Sequence, residues 1–265
     1  MQLVVTKSNT LNAFSWIKQG WRLFTLQPGP FMGMSAIIIA CTLLANLNVL
    51  FGIIVVFLTP FLSAGFYHCA SKAEQGEKLS VTDLFLLLGQ ISKYRVFIRL
   101  ATFSVLFSIL ITFVADDIAL AIQEERIPEF QDLLVFVVLL AINFMLFAFA
   151  VPAAWVAPEK PALELVGQSF QACWINAIPL TVYGLIILIL IFIAMPIILV
   201  GWLILYSVSV LSFYQMFLTI YQPEQSPKET DIENTLEPDV VENDSDTQDG
   251  QTSNEQESDV QQEDV

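Results

Sequence analysis

The chain has 265 residues, 55% of them hydrophobic and only 14% charged, with a formal net charge of −15. Such a balance excludes a nucleic-acid binder, which needs a basic face, and it excludes an ordinary water-soluble domain. The acidity belongs to one appendage: residues 223–265 carry 15 Asp and Glu against one Lys, leaving 11 acids and 10 bases in residues 1–222.

Four runs carry no charge, Leu23–Ser71, Leu100–Ala115, Leu133–Pro158 and Leu165–Pro223, of 49, 16, 26 and 59 residues. A bilayer core takes roughly 20 apolar residues per helix. The first and last runs therefore hold two spans each and the middle runs one apiece. The 16-residue run lengthens if Lys93, Arg95 and Arg99 snorkel to the interface. The sequence predicts an all-α polytopic membrane protein with six transmembrane helices, in three units of one amphipathic helix followed by two spans. It divides into an N-terminal arm (1–30), a membrane domain (31–222) and an acidic tail (223–265).

In chain order, residues 8–27 form the first amphipathic helix, capped by Ser8 or Thr10. Phe14, Ile17, Trp21 and Phe24 make its apolar stripe, and Ser15, Lys18, Gln19 and Arg22 lie opposite, as in a helix lying in the interface plane. Pro28-Gly29-Pro30 breaks it. The first span runs from Phe31 to about Ala45, and the second from the turn at Asn46–Asn48 to about His68, kinked by Pro60. After a polar link from Ser71 to Leu79, Ser80 and Asp83 form a capping box that opens a short helix with Val81, Leu84, Phe85 and Leu88 on its apolar face. The third span covers about Lys93–Ala115. An acidic loop with Asp116, Asp117, Glu124, Glu125 and Glu129 follows.

The fourth span, about Leu133–Val156, has Asn143 in its middle and Pro152 in its second half. Pro161 then opens a third short helix, with Leu163, Val166, Phe170, Cys173, Trp174 and Ala177 on one side. Beyond Trp174 and Asn176, Pro179 ends that helix and starts the fifth span, to about Met195. Pro196–Gly201 is the turn into the sixth, which ends near Tyr221. Units one and three echo each other, Trp21 before Pro28 and Trp174 before Pro179, although aromatics at interfaces are common in membrane proteins. The tail lacks the apolar content to order itself, and as a flexible coil it reaches roughly 35–40 Å.

Ten of the eleven Lys and Arg fall on the arm, the 70–99 link, the 158–178 link and the tail, and only Arg126 falls on the opposite turns. The positive-inside rule then predicts that both termini are cytoplasmic. Residues 1–30 lack the apolar core of a cleavable signal, and the lipoprotein-like Ile38–Cys41 box sits too far into the chain to be one.

No motif rises to catalysis, cofactor binding or a metal site. Cys41, Cys69, Cys173 and the single His68 lack ligand spacing, and His68–Cys69 has no neighbouring acid in sequence to orient it. The loop acids lack the order of a calcium loop. The polar residues deep in the spans are uncharged: Asn143, Ser104, Ser108, Thr112, Ser207, Ser209 and Ser212. Hydrogen bonding between helices is their expected role, and a coupled transporter would need a buried charge. Trp21, Pro60, Asn143, Pro152, Trp174, Asn176 and Pro179 are the positions expected to shape packing or a pathway. The expected partners are membrane lipids and, through the acidic tail, a basic cytoplasmic protein, the alternative being that the tail simply repels the anionic inner leaflet; Asn243-Asp244-Ser245 is a chance sequon on that tail.

The arm Gly20, Trp21, Pro28, the segment TPFLSAGFYHCASKAEQGEKLSVTDLF and the segment AAWVAPEKPALELVGQSFQACWINAIPLTVYG resemble a group of uncharacterised bacterial inner-membrane proteins with six spans, described by a domain of unknown function. More distantly, the chain is similar to the membrane domain beside some glycerophosphodiester phosphodiesterases. The resemblance covers about Phe14–Tyr221. It implies architecture and a bacterial inner-membrane address, and it carries over no catalytic residue. The expectation is a non-enzymatic membrane protein interacting with lipids or a partner, the alternative being a facilitator or channel for a small or lipidic solute.

Overall fold

The computed structural model describes residues 3–196 and 200–223. The tail beyond Pro223, including the expected disorder, the sequon and the partner segment, lies outside the described residues, as do residues 197–199 of the expected turn. Among the described residues there are nine α-helices, one 3₁₀ helix and two short strands. The order is β1 (Leu3–Val5), α1 (Asn12–Leu26), α2 (Pro28–Ala45), α3 (Val49–Glu74), the 3₁₀ helix (Val81–Gln90), α4 (Arg95–Gln123), α5 (Phe130–Phe147), α6 (Ala150–Val156), α7 (Ala162–Ile175), α8 (Ala177–Ala194), α9 (Val200–Ile220) and β2 (Tyr221–Pro223). Six stretches are long and apolar enough to cross a membrane: α2, α3, α4, α5 continued through α6, α8 and α9. This is an integral, multi-pass membrane protein, with a short helix before each pair of spans.

Two expected boundaries move. The second span continues to Glu74 instead of ending near His68. Its last turn is held by Lys72, which bonds the Asp83 carboxylate at 3.0 Å, and by Glu74, which accepts from Tyr214 Oη at 3.1 Å and from the Gln215 amide. The third span continues through Asp116 and Asp117 to Gln123, so those acids lie on a helix and not in a loop. Its 29 residues are about 43 Å long, well beyond a hydrocarbon core.

The short helices do not present their bulkiest stripes to the protein. In α1 the buried residues are Ala13, Trp16, Gly20, Leu23 and Phe24, whereas Phe14 and Trp21 are 60% and 50% exposed. In α7 the buried residues are Ala162, Leu165, Ser169, Ala172 and Cys173, whereas Leu163 and Trp174 are 70% and 69% exposed. Helices in a bilayer gain little by hiding large apolar groups from lipid, whereas small residues let backbones approach closely; the inward faces accordingly mix Ala13, Gly20, Ala162, Ser169 and Ala172 with Trp16, Leu23, Phe24 and Leu165. At Gly20 the approach is extreme: an added Cβ would overlap Ser212 Oγ and lie 2.6 Å from Ser212 N on α9. At Gly65 it would overlap the Leu84 carbonyl oxygen of the 3₁₀ helix, lying 3.0 Å from Leu84 C.

The capping box forms as the sequence predicts. Ser80 Oγ accepts from Thr82 N–H at 3.4 Å and the Asp83 carboxylate accepts from Ser80 N–H at 3.2 Å. β1 and β2 pair antiparallel, Val4 opposite Gln222, which places the two ends of the described chain together on one side. The packed core lies toward that same end, where Phe61, Leu87, Phe97, Phe149, Leu165 and Phe217 share one cluster. Away from it, the helices are lined by their own lipid-facing side chains: α5 buries none of its residues and α8 only Pro179.

Candidate functional site

The fourth span is not one helix. α5 stops at Phe147 and α6 starts at Ala150, just ahead of Pro152. Pro152 has no N–H, and its ring crowds the carbonyl four residues back, which belongs to Ala148. The backbone groups released at the break are taken up by a side chain from α7. Ser169 Oγ accepts from Phe149 N–H at 3.0 Å and donates to the Met145 carbonyl at 2.9 Å. Ser169 is fully buried, and nothing in its sequence neighbourhood marks it. The only signal is that a small hydroxyl sits on the same face as Ala162, Leu165 and Ala172.

A crevice of about 350 Å³ lies beside the break, between α3, α4 and α5. It brings Pro60 and Asn143 together, with Thr59, Ser104, Phe144 and Phe147 also on its wall. Thr59 Oγ1 donates to its own helix, to the Val55 carbonyl at 2.7 Å. Asn143 Oδ1, by contrast, is buried without a hydrogen-bond partner. Ser207 and Ser212 behave differently: Ser207 Oγ lies 2.7 Å from Ser35 Oγ across the α2–α9 contact, and Ser212 Oγ donates to Val208.

A second crevice of about 340 Å³ shares Phe144 with the first and is lined by Tyr67, Tyr183, Tyr206 and Ser209. Tyr183 Oη donates to the Ser209 carbonyl at 3.0 Å. The three tyrosines come from α3, α8 and α9, a convergence that helical spacing within one span does not announce.

Trp21 stands at a third feature, a groove of about 510 Å³ between α1 and the α8–α9 pair. Phe14, Ile17, Lys18 and Trp21 form one wall, and the other is wholly apolar, including Ile186, Leu190, Ile204 and Leu205. Among the described residues Lys18 is the one ionisable group on the groove, and Arg22 lies one helical turn further along α1.

The remaining expected positions are apart from these cavities. Trp174 stacks on Phe170 at 6.2 Å and faces outward. Asn176 is buried at the α7–α8 junction and works as a latch. Its Oδ1 accepts from Ser8 N–H at 2.7 Å, and its Nδ2 donates to the Thr6 and Ala172 carbonyls at 3.1 and 3.0 Å. Pro179 is buried in the first turn of α8, where a missing N–H costs little.

His68 and Cys69 sit on α3, and the structure does bring an acid close, Asp83. That carboxylate is committed to Lys72 and Ser80, and the Lys72 ammonium holds its pKa below the ordinary carboxylate range. Burial pushes the Cys173 thiol up to about 12, so it stays protonated at neutral pH. Among the acids after α4, Glu124 pairs with Arg126 at 2.6 Å. Among the described residues no group of three or more His, Cys, Asp or Glu is placed to hold a metal ion. Comparison with protein-family models, curated proteins and solved structures finds no match to the chain.

Proposed function

We propose that this protein is a non-enzymatic membrane protein of the bacterial inner membrane that engages lipid through the groove between α1 and the α8–α9 pair. The observation that carries this reading is the groove itself, apolar along its length, fronted by Trp21 and edged by the cation Lys18. An acyl chain suits such walls, and an anionic headgroup suits Lys18 with Arg22 beyond it. Both chain ends lie in the cytoplasm on this reading, supported by the bias of Lys and Arg toward the β1–β2 side. The acidic tail then serves as a docking element for a basic protein, supported by its 15 acids against one Lys.

Native mass spectrometry of the full chain, extracted from vesicles of mixed phosphatidylglycerol and phosphatidylcholine, tests the groove. Retained phosphatidylglycerol should be displaced in Ile204→Trp, which fills the groove, and weakened in Lys18→Gln. Equal retention in all three proteins overturns the reading. In-cell crosslinking with and without residues 225–265 tests the tail, and an unchanged set of crosslinked proteins removes it as a docking element.

The meeting of the two crevices at Phe144 favours a second reading, a facilitator for a small or lipidic solute. Flux through reconstituted vesicles that falls in both Asn143→Leu and Ser209→Leu would put it ahead of the first. No flux for any solute tried would set it aside.

A further inference from the structure

The crevice between α3, α4 and α5 holds a polar group that the protein does not satisfy. Asn143 lies 13 residues from each end of the Phe130–Val156 span, which puts it at mid-membrane. Its Oδ1 is enclosed and has no partner. In hydrocarbon no water compensates such a group, and each one left bare costs several kcal/mol. Interhelical hydrogen bonding would remove the cost, yet Asn143 makes no bond to the adjacent Ser104 or Thr59 that share its crevice.

We propose that this crevice is a binding site for the free hydroxyl of an uncharged lipid, a diacylglycerol being the simplest example. The class follows from the walls. Among the described residues no charged side chain lines the crevice, so a phosphate or ammonium would enter without a counter-ion. A hydroxyl both donates and accepts, so it satisfies the Asn143 amide whichever way that amide is turned. Apart from the hydroxyls of Thr59 and Ser104, the rest of the lining is apolar, including Val56, Leu100 and Phe147. Phe144, half exposed at the same depth, places the mouth against the bilayer and not against water. The volume, about 350 Å³, is within the roughly 300–1,000 Å³ of small-molecule sites, enough for a glycerol head and the first part of a chain. The site is separate from the α1 groove, and the inference stands or falls independently of the reading of that groove.

The test uses the full chain in phosphatidylcholine nanodiscs with a photoactivatable diacylglycerol, and maps the labelled peptides. Label is expected on the segments around Ser104 and Asn143. Unlabelled dioleoylglycerol should compete, and triolein, which has no free hydroxyl, should not. Asn143→Leu should cut labelling about tenfold, the loss of one buried hydrogen bond. In the absence of diacylglycerol the same variant should melt higher than wild type, because it removes an unsatisfied amide. Ser104→Ala, which leaves Asn143 in place, should keep most of the labelling and serves if Asn143→Leu fails to fold: label mapping elsewhere in that variant overturns the site. Competition by triolein overturns hydroxyl recognition, and competition by glycerol alone replaces the lipid with an aqueous solute. A lower melting temperature for Asn143→Leu would show that the amide holds helices together, which overturns the proposal.

Discussion

Gly20→Ala is the sharpest probe of how the N-terminal helix sits. The new methyl would lie 2.6 Å from Ser212 N and 2.8 Å from Ser212 Cα, against an ordinary contact of at least 3.4 Å. These are backbone atoms, so a rotamer change cannot relieve the overlap, and α1 and α9 must part by up to about 0.8 Å. A radial gap of that size forfeits roughly a quarter to a half of the dispersion energy across the contact. Overpacking at a tight site costs about 1–3 kcal/mol. The bond from Trp16 Nε1 to Thr219 Oγ1, 3.1 Å long, weakens as well and adds roughly 0.5–1.5 kcal/mol. The expected total is about 1.5–4.5 kcal/mol. Unfolding in mixed detergent micelles, followed by tryptophan fluorescence, measures it. Gly167→Ala is the control, since its Cβ would meet nothing within 4 Å and should be neutral or stabilising by up to ~1 kcal/mol. Ser212→Gly in the Gly20→Ala background should recover only part of the loss, because the backbone overlaps persist. If Gly20→Ala unfolds within about 0.5 kcal/mol of wild type, the ordinary scatter of a surface substitution, then α1 rests loosely on the bilayer surface and the close α1–α9 packing is wrong.

Three further outcomes are expected. Ser169→Ala should destabilise by about 1–3 kcal/mol in the same assay, because it leaves the Phe149 N–H and the Met145 carbonyl bare at the helix break; Ser169→Cys should recover little, being a weak hydrogen-bonding partner. Asn176→Ala should cost about 1.5–4.5 kcal/mol, three bonds at roughly 0.5–1.5 kcal/mol each, and hydrogen exchange should then show the Thr6 and Ser8 amides losing protection before the spans do. The Asp83 carboxylate titrates below its usual range in the folded protein, so the stability it contributes is present above the unfolded carboxylate pKa of about 3.9 and is lost as pH falls through the lower folded value. The gap in melting temperature between wild type and Asp83→Asn should therefore be full at pH 6 and closed at the acid end; a gap constant down to pH 2 would contradict the assigned pairing with Lys72.

Spans were legible because the rule that makes them is local. A backbone in hydrocarbon must satisfy its own N–H and C=O groups, so any uncharged run of sufficient length becomes a helix, and 49 uncharged residues interrupted by Asn46 and Asn48 become two. The capping box at Ser80 and Asp83 was legible for the same reason, since its partners are three residues apart. Pro152 announced where the fourth span would break, but not what would repair the break: Ser169 reaches Phe149 from 20 residues away; Pro60 lies inside the continuous α3. In α1 and α7 the apolar pattern did not say which side meets the protein: Phe14, Trp21, Leu163 and Trp174 are exposed, whereas Trp16, Leu23, Phe24 and Leu165 are buried beside Gly20, Ala162 and Ala172. Hydrophobic stripes identify the protein-facing side of a helix only when the alternative is water.

By itself, the sequence determined that the chain crosses a membrane, how often, and that the fourth crossing is interrupted near Pro152. Those properties depend on composition and on neighbours within a turn or two. Tertiary structure alone decided that Asn176 ties the N-terminal strand to the α7–α8 junction, that three tyrosines from three spans line one crevice, and that Asn143 stands in another without a partner. Each depends on which helices lie side by side, and in a bilayer that choice is made by close fit between small residues and by scarce hydrogen bonds, neither of which leaves a periodic trace in the chain.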